Sequence, residues 1–117
     1  MLRVLLTALL ALANAASPPI RLQVTPLIAG APVDVKLKIF IEPHPDNRRL
    51  DFVLEGERYS RSSSEMLEGE AARKVFDVIY KRVPCGNYIA AAQVVRADGT
   101  THAAVSQAMT FTGVYCD

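Results

Sequence analysis

The chain of 117 residues has 13 basic and 12 acidic side chains, so its formal net charge is +1. That balance gives no basic excess for neutralising phosphates, which excludes a nucleic-acid partner and a polybasic membrane contact. The length is sufficient for one domain with one hydrophobic core.

The first fifteen residues have the pattern of a secretory signal peptide. Arg3 supplies a short positive region, Val4 to Ala13 form an apolar run, and Ala13-Asn14-Ala15 gives the small-x-small pattern that signal peptidase reads. An apolar run of this length is too short to span a bilayer, which needs about 20 residues. We therefore expect residues 1–15 to be removed, which leaves residues 16–117 as one exported domain, periplasmic or extracellular, without membrane insertion. A buried N-terminal helix is the alternative.

The two cysteines, Cys85 and Cys116, are expected to pair in an exported chain. A disulfide between them would close a loop of 31 residues. In the loop-entropy model, such a bridge stabilises the fold by roughly 3–4 kcal/mol. Two free thiols are the alternative. Two cysteines so far apart are too few to hold a metal ion by themselves.

Alternation of apolar and polar residues predicts a chain of short strands. The predicted strands are Ile20–Thr25, Val33–Ile41, Arg49–Glu55, Val75–Val83, Tyr88–Arg96 and Thr101–Val114. Arg58 to Ser64 form either a short edge strand or a loop, and residues 64–74 are expected to be irregular with a short strand. Asp98-Gly99 lies between two apolar runs, which is a strong hairpin pattern. Six or seven strands without a convincing helix indicate an antiparallel β-sandwich.

The segment Pro84-Cys85-Gly86-Asn87-Tyr88 resembles the corner of immunoglobulin-like and fibronectin type III-like sandwiches. There, a tyrosine begins a strand and its hydroxyl binds nearby backbone. Gly30-Ala31-Pro32-Val33 similarly resembles a turn and strand of bacterial immunoglobulin-like modules. The resemblance implies an all-β, antiparallel immunoglobulin-like β-sandwich of about seven strands, with Tyr88 as its structural tyrosine corner. The chain departs from the pattern because Phe52 replaces the usual tryptophan and the cysteines lie outside the usual pair of strands.

No catalytic motif is recognisable, so the sequence predicts that the protein is not an enzyme and needs no cofactor. Ser62-Ser63-Ser64 lacks a nearby histidine base. Glu42, His44 and Asp46 alternate in one predicted loop, and the fold places His102 at the same end of the molecule. His44 and His102 are therefore candidate metal ligands, although solvated loop residues are the simpler interpretation.

The strand that begins at Tyr88 is unusual because it is apolar on both faces, as in strands covered on both sides. The outward residues of this strand and its neighbours are small and nearly uncharged: Val53, Ile89, Ala91, Gln93, Val95, Ala104 and Ala108. A contiguous patch of this kind marks a contact surface. The leading hypothesis is a small exported, non-catalytic binding or accessory module that contacts a protein partner or forms a homodimer through this face. An extracytoplasmic metal-binding protein is the second hypothesis. A central strand that neighbouring long side chains shield would explain the apolar residues without a partner.

Overall fold

A computed structural model describes residues 19–114 and 116, so the predicted signal peptide at residues 1–15 lies outside the described residues. Within the described part, the chain forms eight strands. They are β1 (Ile20–Thr25), β2 (Ile28–Gly30), β3 (Val33–Ile41), β4 (Asn47–Gly56), β5 (Ser60–Met66), β6 (Val75–Val83), β7 (Gly86–Arg96) and β8 (Thr101–Thr112), with a 3-10 turn at Gly69–Ala71 between β5 and β6.

Two sheets form the sandwich. The narrow sheet has the strand order β1-β3-β6, and the wide sheet has the order β2-β8-β7-β4-β5. All pairs are antiparallel except β2 with β8, which is parallel. The predicted all-β, antiparallel sandwich is confirmed. Strand β7 lies in the middle of the wide sheet, between β8 and β4, and its inward residues Tyr88, Ala90, Ala92 and Val94 are buried.

Strand β3 shows how alternation in the sequence builds the core. Val35, Leu37 and Ile39 are fully buried, whereas the residues between them are exposed. Two clusters of buried side chains fill the space between the sheets. The first cluster contains Val35, Leu37, Tyr80, Tyr88 and Phe111, and the second contains Ile39, Leu50, Phe52, Phe76 and Val94. Leu22 and Val78 pack against both clusters, so the core is continuous.

The structure differs from the predicted elements between residues 58 and 74. The polar segment from Arg58 to Ser64 was expected to be either a short edge strand or a loop. The structure has an edge strand there, β5, which pairs with β4 over its whole length. Of residues 64–74, which were expected to be irregular with a short strand, residues 64–66 are the end of β5, and the 3-10 turn at Gly69–Ala71 follows. Gly69 has φ of +60°, and an added Cβ would lie 2.8 Å from the Pro45 carbonyl oxygen, so this turn needs glycine.

Strand β2 was not predicted. It has three residues, and Ile28 is 80% exposed, so it shows no alternation for the sequence to reveal. Its position follows from pairing, because Ile28 to Gly30 lie beside Thr110 to Thr112 of β8. In the described part of the chain, no helix is long and apolar enough to cross a membrane.

Candidate functional site

The segment from Pro84 to Tyr88 forms the corner where β6 leads into β7. The Tyr88 hydroxyl donates a hydrogen bond to the Pro84 carbonyl oxygen at 2.8 Å. Burial raises the pKa of Tyr88, because the phenolate is disfavoured away from water. Cys85 and Cys116 are disulfide-bonded with Cα atoms 5.8 Å apart, a separation that suits a disulfide. The corner is therefore joined to the chain that follows β8.

The outer face of the wide sheet, which points away from the core, is built of rows of residues on neighbouring strands. From β5 to β8, one row consists of Ser64, Asp51, Gln93 and Ala104. The next row consists of Ser62, Val53, Ala91 and Ser106. The first row is polar over three of its four positions, and the second is made of small side chains. Together the two rows form a shallow depression across the middle of the sheet.

Asp51 is at the centre of a hydrogen-bond network in the first row. Arg49 donates to both carboxylate oxygens, from Nε to Oδ1 at 2.7 Å and from Nη2 to Oδ2 at 3.1 Å. Ser64 Oγ also donates to Oδ1 at 2.7 Å, and Gln93 Nε2 donates to Oδ2 at 3.0 Å. These bonds, that from Arg49 foremost, lower the pKa of Asp51 to about 2. The carboxylate is thus ionised at neutral pH and is fixed in place, which makes it a poor proton acceptor.

A cleft of about 850 Å³, which we name the sheet cleft, lies over these two rows. Its lining residues are Arg49, Asp51, Phe52, Val53, Ser62, Ser63, Ser64, Ala91, Ala92, Gln93, Ala104, Val105 and Ser106. Serine hydroxyls are present, but no histidine lines the cleft to activate one as a nucleophile. The arrangement suits binding, because a small apolar floor lies beside a rigid, charged row of hydrogen-bonding groups.

The structure places most of the predicted interaction face in or beside the sheet cleft. Val53, Ala91, Gln93 and Ala104 line it. Ile89 and Ala108 line a neighbouring cleft of about 630 Å³, where the Ile89 side chain is 52% exposed. These six residues therefore lie on one continuous side of the wide sheet.

Val95 does not belong to this accessible surface, so its place in the predicted face is wrong. The pairing of β7 with β8 is irregular between Val94 and Val95. The extra residue is His102 of β8, so β7 itself keeps its alternation and Val95 stays on the outer side, opposite Arg49. Val95 is nevertheless only 6% exposed, because alternation assigns a residue to a face but does not determine whether neighbouring groups cover it.

His44 and His102 line one small cleft of about 180 Å³, together with Glu42 and Arg96. We name it the histidine cleft. The Asp46 amide donates a hydrogen bond to His44 Nδ1 at 3.0 Å. In a neutral imidazole whose Nδ1 accepts a hydrogen bond, the proton lies on Nε2. Binding a metal through His44 Nε2 would therefore require this proton to move and this hydrogen bond to break.

The fold defines the chain as a two-sheet β-sandwich, so its resemblance to immunoglobulin-like and fibronectin type III-like domains holds at that broad level. No protein-family model matches the chain, and no curated protein does. Among solved structures, it is similar to the superoxide reductase (neelaredoxin) from Ignicoccus hospitalis, with 13% identity, a TM-score of 0.63 and 87% of each chain covered. It is also similar to part of a family 76 glycoside hydrolase from a bovine Bacteroides thetaiotaomicron strain, with 16% identity and a TM-score of 0.53. That match covers 81% of this chain and 21% of the hydrolase.

The likeness to a superoxide reductase contradicts the prediction that the protein is not an enzyme. An enzyme by name shares this fold over nearly the whole chain. The prediction rested on missing sequence motifs, but catalytic residues are recognised by their geometry in the fold and need not form a short sequence motif. At 13% identity the likeness shows the fold alone and transfers no reaction.

Superoxide reduction is one-electron chemistry, for which proteins use a metal or an organic cofactor. The described residues do not form the ligand set that a resident redox metal of this kind needs. Among residues 19–114 and 116, no group of three or more histidine, cysteine, aspartate and glutamate side chains is placed to hold a metal ion. Both cysteines are in the disulfide, so neither can act as a thiolate ligand.

The Arg49–Asp51 pair in the sheet cleft was missed by the sequence reasoning, which expected a nearly uncharged face. The signal was present in the alternation of β4. Leu50 and Phe52 point inward, so Arg49, Asp51 and Val53 must share the outer face. What alternation could not show is that Gln93 on β7 lies directly opposite Asp51.

Proposed function

We propose that the protein is an exported binding module that takes a protein partner in the sheet cleft. The observation that carries the proposal is the form of this cleft, about 850 Å³ over a floor of alanine, serine and valine side chains. Small residues leave room for a protruding side chain of the partner. Contact surfaces of proteins combine such an apolar centre with a few oriented polar groups.

The polar row suggests the chemistry of the partner. Arg49 uses Nε and Nη2 for Asp51, and its side chain is 45% exposed. The remaining Nη1 is suited to a carboxylate or carbonyl oxygen of the partner. Ile89, which is 52% exposed beside the cleft, offers an apolar contact. We therefore expect an apolar side chain of the partner on the cleft floor and an acceptor group beside Arg49.

Site-specific photo-crosslinking tests the proposal. A photoreactive amino acid replaces Ile89 on the wide sheet in intact cells, and in a matched control it replaces Ile79 on the narrow sheet. These two residues are 52% and 50% exposed. We expect a discrete protein adduct from position 89 and none from position 79. Adding Ala91→Arg, which fills the cleft, should abolish the adduct. Adducts that are identical at both positions, or that survive Ala91→Arg, would contradict the proposal.

Export is part of this proposal. The Cys85–Cys116 disulfide supports an oxidising compartment, because structural disulfides persist where thiols are not kept reduced. Residues 1–15 then act as the signal peptide. Mass spectrometry of the protein from a cell fraction should give a chain that begins at Ala16. A protein that retains Met1 to Ala15 and is found with cytoplasmic markers would contradict export.

Metal binding in the histidine cleft is the second candidate function. The observation that favours it is that His44 and His102, far apart in sequence, line the same cleft. Titration with copper or zinc, followed by calorimetry, tests it against His44→Ala and His102→Ala variants. Tighter binding by the wild type than by either variant supports the site, and equal binding by all three proteins excludes it.

A further inference from the structure

Strand β5 forms one edge of the wide sheet and is exposed along its whole length. All seven residues from Ser60 to Met66 are exposed, and pairing with β4 is regular throughout. No other strand in the described part of the chain pairs with β5. An edge strand without proline or a bulge presents a row of backbone groups to which a further strand can bind.

Two backbone hydrogen bonds show which residues of β5 point to that free edge. Gly56 donates to the Tyr59 carbonyl, and Leu67 donates to the Arg48 carbonyl, at the two ends of the β4–β5 pairing. Residues of an antiparallel strand alternate between facing one neighbour and facing the other. The odd-numbered residues of β5 therefore face β4, and the free edge carries the amide and carbonyl groups of Ser60, Ser62, Ser64 and Met66.

The charges on β5 are arranged so that the strand complements a second copy of itself. Arg61 and Glu65 lie two residues to either side of Ser63. If two β5 strands pair antiparallel about Ser63, Arg61 of each copy lies opposite Glu65 of the other. In this register Ser62 also lies opposite Ser64 of the other copy, so edge-facing residues meet edge-facing residues and their backbone groups can bond.

Other registers lose this complementarity. A shift of two residues places Arg61 opposite Ser63 or Leu67 and breaks both ion pairs. A shift of four residues places Arg61 opposite itself or Glu65 opposite itself, and like charges in directly opposed positions are destabilising. A shift of one residue places backbone groups that face the free edge opposite backbone groups that are already bonded to β4, so the two strands cannot form a regular ladder. The pattern thus selects one register.

We propose that two copies of this chain pair through β5, antiparallel and centred on Ser63, to form a symmetric dimer with one continuous sheet. The Arg61–Glu65 and Ser62–Ser64 contacts each occur twice about an axis at Ser63, as a two-fold interface requires. Ser62 and Ser64 line the sheet cleft, so pairing brings the clefts of the two copies side by side on one surface.

The present contacts of Arg61 fit this role. Its Nη1 donates to the Ser60 carbonyl oxygen at 2.9 Å, and its guanidinium lies 4.5 Å from the centre of the Tyr59 ring. The Ser60 carbonyl faces the free edge, so Arg61 occupies a position that an amide of the second copy takes over on pairing. Tyr59 continues to support the stem of Arg61 while the guanidinium turns to Glu65 of the second copy.

Charge reversal tests the register. In analytical ultracentrifugation, Arg61→Glu alone and Glu65→Arg alone should each weaken dimerisation by about tenfold or more, because two attractive pairs become repulsive. The double variant Arg61→Glu/Glu65→Arg restores both pairs and should dimerise like the wild type. An equimolar mixture of the single variants should form heterodimers in preference to either homodimer. A wild-type protein that stays monomeric at all concentrations, or single variants that dimerise normally, would overturn the proposal.

A proline pair tests the strand contact separately. Ser62→Pro removes an amide that faces the free edge, so it should abolish the dimer while the fold is kept. Ser63→Pro removes an amide that faces β4, so it should destabilise the monomer, seen as a lower thermal midpoint. Dimerisation by a folded Ser62→Pro protein contradicts pairing through β5. The cleft variant Ala91→Arg should leave dimerisation intact, so failure of this proposal is distinct from failure of the proposed binding site.

Discussion

Two buried tyrosines of the first core cluster differ in what their hydroxyl groups contact. The Tyr88 hydroxyl is bonded to the Pro84 carbonyl at 2.8 Å. The Tyr80 hydroxyl is buried and has no hydrogen-bond partner among the described residues. A buried polar group without a partner loses its hydrogen bonds to water and gains none in the protein, whereas a buried polar group that is hydrogen-bonded stabilises the fold.

We expect Tyr88→Phe to lower the free energy of unfolding by about 1–2 kcal/mol, because it leaves the Pro84 carbonyl without its donor. Tyr80→Phe is the matched control and should be neutral or slightly stabilising. Urea unfolding of both variants with the disulfide intact gives the comparison. If the two variants lose the same free energy of unfolding, the hydrogen bond from Tyr88 to Pro84 does not itself stabilise the fold.

Protonation of Asp51 should make the free energy of unfolding depend on pH at acidic values. Its pKa is lowered from 3.8 to about 2, chiefly by the hydrogen bond from Arg49. A carboxyl group with a lowered pKa in the folded state stabilises the fold above the unfolded value, and this contribution is lost as the pH falls from about 4 towards 2. Allowing for its partly exposed position, we expect a loss of about 1 kcal/mol over that range.

The measurement is the free energy of unfolding from pH 6 to pH 2 in wild type and Asp51→Asn. The wild type should lose more stability than the variant. Asp77→Asn is the control, since Asp77 is mostly exposed and lies 3.9 Å from Lys38. Parallel pH profiles for wild type and Asp51→Asn would show that the network around Asp51 does not hold it in the ionised form.

At the scale of elements, the disulfide fixes the end of β8 to the corner before β7. Its loop of 31 residues contains the whole β7–β8 hairpin. Opening it should cost roughly 3–4 kcal/mol by the loop-entropy model. Denaturant midpoints of the reduced wild type and of a Cys85→Ser/Cys116→Ser variant should agree with each other and fall below that of the oxidised wild type. If reduction leaves the midpoint unchanged, the loop-entropy account does not apply to this hairpin.

Strands with strict alternation were predictable from the sequence. The bounds of β1, β3 and β6 agree with the predicted ones, because each strand has one buried and one exposed face. Strand β5 has no buried side chain at all, so its sequence could not distinguish a strand from a loop. Its position depends on backbone bonds to β4, which side-chain patterns do not encode.

The sheet cleft was only partly predictable for a related reason. Alternation assigns Ala91 and Gln93 to the outer face, but the network around Asp51 depends on the register between β4 and β7. Alternation also assigns Val95 to the outer face, opposite Arg49, but it does not show that Val95 is only 6% exposed there. Contacts between strands that are distant in sequence therefore decide the details of the site.

At the scale of the whole molecule, the two sheets differ in width, and this difference bears on the exposed edge strand β5. Three strands face five, so the edge strand β5 extends beyond the cover of the narrow sheet and none of its side chains is buried. The core beneath the sheet cleft is nevertheless continuous, because Leu22 and Val78 pack against both clusters. A continuous core is expected to unfold as one unit.

If the two clusters form one core, damage to either should shift the unfolding of both. Val35 in the first cluster and Val94 in the second are almost completely buried. Val35→Ala and Val94→Ala each remove two buried methyl-sized groups, with an expected cost of about 2 kcal/mol. The chain has no tryptophan, so its intrinsic fluorescence comes from tyrosine. Tyr80 and Tyr88 lie in the first cluster, so this fluorescence reports the state of that cluster.

In Val94→Ala, we expect tyrosine fluorescence and far-ultraviolet circular dichroism to show one shared urea transition, displaced from that of the wild type. Coincident transitions by different probes are the sign of two-state unfolding. A tyrosine transition that stays at the wild-type midpoint while the dichroism shifts would mean that the second cluster unfolds separately. The sheet cleft and the edge strand β5 would then rest on a part of the fold that opens independently, and partner binding or dimerisation would stabilise that part alone.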